Sequence, residues 1–108
     1  MEIEIRPVSG MDDLERWVAV HNQVQHGDPA TTDAKALVRA LQTERADLLA
    51  YADGVPVGTA VLSGDVTSVD TGRPYLQVSV LPEYRGHGIG DALLRAISDE
   101  ARRFGSRP

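Results

Sequence analysis

Residues 78–97 read VSVLPEYRGHGIGDALLRAI, and the backbone habit of this stretch changes three times. Val78-Ser79-Val80 is a short strand-type run, Pro82-Glu83-Tyr84 is a corner, and a helical pattern follows from Ile89. Between corner and helix stand Gly86, Gly88 and Gly90, with Arg85 beside the first. The first amide N–H groups of a helix have no intrahelical acceptor, and the helix dipole adds about half a positive charge there. Glycine has no Cβ and tolerates positive φ, so it lets those amides approach an anion. The segment therefore suits a phosphate or pyrophosphate wrapped in main-chain donors, with Arg85 adding charge from the flank. Taken on glycine spacing alone, a plain strand-to-helix turn is the other reading.

Spacing excludes two phosphate loops. The dinucleotide fingerprint G-x-G-x-x-G needs glycine at position 91, where Asp91 stands. The nucleoside-triphosphate loop G-x-x-x-x-G-K-[ST] needs a lysine that follows none of these glycines.

Working outward, residues 2–8 alternate acidic and apolar side chains, the period of a half-buried strand. Asp12 and Asp13 suit a helix start, and Met11, Leu14, Val18 and His21 follow at helical spacing. Gly27-Asp28-Pro29 ends that helix. Thr31, Thr32 and Asp33 offer an N-cap for a second helix, with an apolar face of Ala34, Leu37, Val38 and Leu41. Leu48 to Ala52 and Val55 to Leu62 flank Asp53-Gly54, a favoured two-residue hairpin turn. A loop from Gly64 to Arg73 carries Asp65 and Asp70. Residues 75–81 form a further strand whose apolar character points to burial on both faces. In the last helix, Ile89, Leu93, Ala96, Ile97, Glu100, Ala101 and Phe104 share one side. The order is β-α-α-β-β-β-α, a mixed sheet with helices laid on it.

Bulk properties bound the rest. A chain of 108 residues is one domain, able to bury roughly 65% of its unfolded surface. It is 42% hydrophobic and 25% charged, the balance of an ordinary globular protein. A net charge of −5 gives no electrostatic case for nucleic acid or an anionic membrane. The absence of cysteine excludes disulfides and thiolate metal sites, and fits a cytoplasmic location. The start MEIEIRP is the reverse of a basic signal peptide, and no window approaches eighteen apolar residues. The cations are nearly all arginine, with Lys35 the only lysine, a bias that reads as genome composition rather than function.

The string V-x-V-x-P-x-Y-R-G-x-G-I-G-x-x-L-L closely resembles the acyl-CoA signature of the GNAT superfamily of N-acetyltransferases. Its Q/R-x-x-G-x-G/A pattern is matched by Arg85, Gly86, His87, Gly88, Ile89 and Gly90. The resemblance implies an α+β fold with a mixed, mainly antiparallel sheet flanked by helices. It implies acetyl-CoA as co-substrate, with no metal, and direct attack on the thioester by a primary amine of a small molecule or peptide. By carry-over, amides from Gly86 to Asp91 hold the coenzyme A pyrophosphate. Backbone groups of Val78, Ser79 and Val80 pair with the pantetheine arm, and an amide near Val80 polarises the thioester carbonyl.

Two departures from the family pattern accompany this likeness. The strands that follow this helix in the family are missing, so residues 1–108 are expected to be the cofactor-binding part of a single, larger GNAT-like domain. The strand at 75–81 is then an apolar edge, expected to pair with a second copy in a homodimer. No general base is assigned either: Pro74, Tyr75 and Gln77 stand where some relatives carry glutamate. Asp65, Asp70, His21 and His26 can accept a proton, but each has a structural reading. His21 falls on an apolar helix face, His26 and Asp28 sit in a turn, and the two aspartates cap a loop. His87 is expected at the surface, while Tyr84 and Trp17 are expected to pack. The three histidines lack metal-ligand spacing. A non-catalytic acyl-CoA-binding module, such as a degenerate half of a tandem acetyltransferase, is the alternative function.

Overall fold

The structure, a computed structural model, describes residues 1–25, 27, 30–41, 45–63 and 75–105. A hairpin organises it. Strands β2 (Arg45–Ala52) and β3 (Val55–Ser63) run antiparallel. Asp53 and Gly54 join them with φ of +50° and +84°, the double left-handed geometry of a type I′ turn. Asp53 then fixes the neighbouring strand. Its N–H donates to Glu2 O at 2.8 Å, and its carboxylate accepts the Glu2 N–H at 2.8 Å. Strand β1 (Ile3–Pro7) pairs with β2, and β4 (Tyr75–Val80) pairs with β3 on the other side. The order is β1-β2-β3-β4, antiparallel at every described pairing. The expected α+β chain with a mainly antiparallel sheet is what forms.

Both faces of the sheet are covered. Helix α3 (Ile89–Gly105) sets Ile89, Leu93 and Ile97 against Leu48, Ala50 and Ala60 in one cluster. On the other side α1 (Gly10–Val24) sets Leu14, Trp17 and Val18 against Leu49, Tyr51 and Val61. Helix α3 approaches the sheet closely at Gly58, where an added Cβ would lie 3.0 Å from Leu93 Cδ1 and 3.1 Å from Ser79 O. No described helix is long and apolar enough to cross a membrane.

Three expectations are corrected. Helix α2 (Thr32–Leu41) begins as expected, with Thr31 Oγ1 accepting the Ala34 N–H at 3.2 Å. Yet Leu37 is 61% exposed and Ala34 is exposed too, so these two members of the expected apolar face look to solvent. The side chains of Val38 and Leu41 lie outside the described residues. Met11, placed on the inner side of α1, is likewise exposed. Strand β4 is not buried on both faces either, because Leu76 is 46% exposed. Loop residues 64–74, with Asp65, Asp70 and Pro74, and the turn residues His26, Asp28 and Pro29 lie outside the described residues.

Among the described side chains of α2, Lys35 turns inward and is only 9% exposed. Its Nζ stands 2.8 Å from Asp47 Oδ1 and 3.6 Å from the Trp17 ring centroid. Asp47 also accepts Arg45 Nε at 3.0 Å. A cation over an indole face is favourable, and a buried carboxylate requires such partners. Trp17 in turn stacks on His21, with centroids 5.0 Å apart. Lys35 thus has a structural part at this position, between the Asp47 carboxylate and the Trp17 ring. Burial alone would raise the Asp47 carboxyl, but the Lys35 ammonium and the Arg45 guanidinium together hold it below the ordinary carboxylate value.

That direction sets an acid limb of stability. A carboxyl that ionises more readily when folded contributes stability above its unfolded value of about 3.9, and this contribution is lost as pH falls through the lower folded value. Asp47→Ala, which removes the buried carboxylate that Lys35 and Arg45 share, is expected to cost about 3 kcal/mol in urea unfolding at neutral pH. The loss should begin to shrink below about pH 4, where the unfolded carboxyl takes up a proton that the folded one still refuses, and it should fade as pH passes through the lower folded value. A difference that stays constant from pH 7 to pH 3 would contradict this account.

Candidate functional site

The strand-to-helix segment is fixed by main-chain bonds at each step. After β4, Leu81 N–H donates to Val57 O at 2.9 Å, continuing the attachment to β3. Pro82–Tyr84 forms a single 3₁₀ turn, and Tyr84 N–H donates to Leu81 O at 2.9 Å. Arg85 folds back, with its Nε donating to Val80 O at 3.1 Å. Gly86 and Gly88 then take φ of +86° and +80°, which side chains other than glycine's rarely permit. Ile89 inserts into the α3 core at 1% exposure and fixes the start of the helix. The Ala92 N–H donates to Gly88 O at 3.0 Å, closing the first turn of α3.

A cleft of about 520 Å³ opens on this segment. Val78, Ser79 and Val80 form one wall, and Arg85, Gly86, Gly88, Ile89, Gly90 and Asp91 another. An added Cβ at Gly86 or Gly88 would meet nothing within 4 Å, so both glycines border open space. Among the described residues β4 pairs only with β3, leaving the other side of its backbone without a strand partner.

The residues singled out in the sequence thus lie together, with one exception in detail. His87 is exposed at the surface and does not line the cleft. Tyr84 is half-buried and packs against the α3 core, and Trp17 is buried, as expected. His21 is buried against Trp17 and lies outside the cleft lining. Two further lining residues, Val24 and Gln25 at the end of α1, carry no local signal in the sequence. Gln25 Nε2 donates to Ser79 Oγ at 3.1 Å, across 54 residues of chain. No local pattern marks such a contact; only the fold brings the end of α1 to β4. Among the described residues no group of three His, Asp or Glu side chains could hold a metal ion.

The sequence model of the Acetyltransferase (GNAT) family matches residues 11–107. Among solved structures, an aminoglycoside 6'-N-acetyltransferase from Acinetobacter baumannii is 26% identical, with a TM-score of 0.71, over 98% of this chain and 76% of that one. AAC(6')-Iy in complex with the bisubstrate analogue CoA-S-monomethyl-acetylneamine is 27% identical, with a TM-score of 0.77, over 99% of this chain and 76% of that one. A GNAT family acetyltransferase from Brucella melitensis in complex with acetyl-CoA is 25% identical, with a TM-score of 0.73, over 98% and 72%. No curated protein sequence matches the chain.

Proposed function

Because the chain belongs to the GNAT acetyltransferase family, we propose that it binds acetyl-CoA in the cleft beside β4 and transfers the acetyl group to a primary amine. The observation that carries this reading is the pair of left-handed glycines, Gly86 and Gly88, bordering open space at the start of α3. Amides from Gly86 to Asp91 hold the pyrophosphate, with the α3 dipole adding to their attraction. Arg85, exposed on the flank, adds a full positive charge.

The pantetheine arm lies along Val78, Ser79 and Val80, on the side of β4 that has no strand partner among the described residues, beside the Val80 carbonyl that Arg85 Nε already occupies. A β4 amide near Val80 faces the thioester oxygen, where negative charge develops. The acceptor's nitrogen lone pair forms the C–N bond as the carbonyl pair moves onto oxygen. That pair returns as the C–S bond breaks, and the departing thiolate takes up the proton the amine loses. The protein's main contribution is orientation of the two reactants.

One observation favours a second reading, a non-catalytic acyl-CoA-binding module. Among the described residues lining the cleft, Asp91 is the only carboxylate, it sits at the pyrophosphate end, and no histidine lines the cleft. Incubating the chain with acetyl-CoA and a panel of amines separates the two: thiol release marks the enzyme, and binding without release marks the module.

Calorimetric titration tests the site itself. Acetyl-CoA is expected to bind and ATP is not, and Gly88→Glu should weaken acetyl-CoA binding at least tenfold by placing bulk and negative charge in the cradle. Unchanged affinity in a folded variant would remove the glycine turn from the mechanism. For the start of the β4 edge, near the exposed Leu76, we propose pairing with a second copy of the chain. Size-exclusion chromatography should then show a dimer that Leu76→Lys dissociates, whereas a folded monomer at high concentration would contradict it.

A further inference from the structure

Ser79 occupies an unusual position in the cleft wall. Its neighbours Val78 and Val80 pack against the α3 core, whereas successive side chains along a strand point to opposite faces. Ser79 therefore lies on the α1 face, and it is 3% exposed. A hydroxyl carries one hydrogen and two lone pairs. The Gln25 amide fills one lone pair at 3.1 Å, and no acceptor among the described residues takes the hydrogen. Buried hydroxyls rarely leave that capacity unused. Both residues line the cleft, next to the strand backbone on which the acyl arm is placed. A hydroxyl that accepts a hydrogen bond is polarised and becomes a better donor.

We propose that Ser79 donates this hydrogen to the carbonyl oxygen of the bound acyl thioester, a side-chain partner to the β4 main-chain amide. Ser79 is thereby a catalytic residue, and Gln25 is a positioning residue that turns the hydroxyl toward the cleft. The inference rests on the acetyl-CoA reading above. As the amine forms its C–N bond, the carbonyl pair collects on an oxygen held by two donors, and it returns to carbon when the C–S bond breaks. The Ser79 hydrogen stays on Ser79 throughout, so the residue neither gains nor loses a proton. Gln25 anchors the donor from the end of α1, which ties its orientation to the helix on the acceptor side of the strand.

The test needs no knowledge of the acceptor. Dissociation constants for acetyl-CoA and for free coenzyme A are measured on the full chain, together with the infrared stretch of a ¹³C-labelled thioester carbonyl in the complex. The wild type should favour acetyl-CoA and lower the carbonyl frequency. Ser79→Ala should hold its coenzyme A affinity within about twofold, lose roughly five- to tenfold of the preference for acetyl-CoA, and raise the carbonyl frequency toward its value in water. Ser79→Thr, which keeps the hydroxyl on a β-branched frame suited to a strand, should restore both. Gln25→Glu replaces the donor with an acceptor that draws the Ser79 hydrogen away, and should mimic Ser79→Ala. If Ser79→Ala or, should that variant not fold, Gln25→Glu keeps both preference and frequency, the inference is overturned while the acetyl-CoA reading stands. If the wild type binds neither ligand, the reading fails and the inference falls with it.

Discussion

The close contact of α3 with the sheet at Gly58 sets the position of everything in the cleft. A helix that meets a strand where no side chain intervenes is held at short range, and Leu93 Cδ1 would stand 3.0 Å from any Cβ placed there. Gly58 is also opposite Val80 in the strand register, so the same contact fixes the end of β4. The start of α3 and the end of β4 are thereby brought side by side, joined by a short turn. With Ile89 buried beneath it, that turn cannot move far from the sheet. Its amides are consequently preorganised, and binding an anion need not first order a loop.

The opposite face of the sheet serves a different purpose. There the contacts between α1, α2 and β2 mix apolar packing with a buried cluster of charge, in which Asp47 is held between Lys35 and Arg45 and Lys35 caps the Trp17 ring. Such a cluster favours one arrangement strongly, because a slip of α2 would leave a carboxylate buried without its cation. It holds α1 against the sheet, and the far end of α1 carries Gln25 to Ser79. The two faces thus converge on β4: α3 brings the glycine turn from one side, and α1 brings a polar side chain from the other.

Much of this was legible along the chain, and the reason differs by element. The hairpin announces itself through Asp53-Gly54, because few residue pairs accept two successive positive φ values. The strand, glycine turn and α3 are legible because the backbone there requires particular residues, and those residues are contiguous. Helix α2 misled because its periodic leucine, Leu37, faces solvent while a lysine faces inward. Periodicity alone cannot see that Asp47, twelve residues later on β2, neutralises the lysine. Gln25 was illegible for the same reason, since its partner lies 54 residues away. Burial of β4 was overread from composition, because a strand at the edge of the described sheet has fewer neighbours than its apolar residues imply.

The central claim is that main-chain nitrogens at the start of α3 bind the diphosphate of coenzyme A. The most direct measurement is an amide ¹H–¹⁵N spectrum of the labelled chain during addition of coenzyme A, repeated with pantetheine, which carries no phosphate. Large downfield shifts are expected at Gly86, Gly88 and Gly90 with coenzyme A, and little change at these three with pantetheine. Coenzyme A that binds while those three resonances stay in place, or moves them no more than pantetheine does, would contradict it.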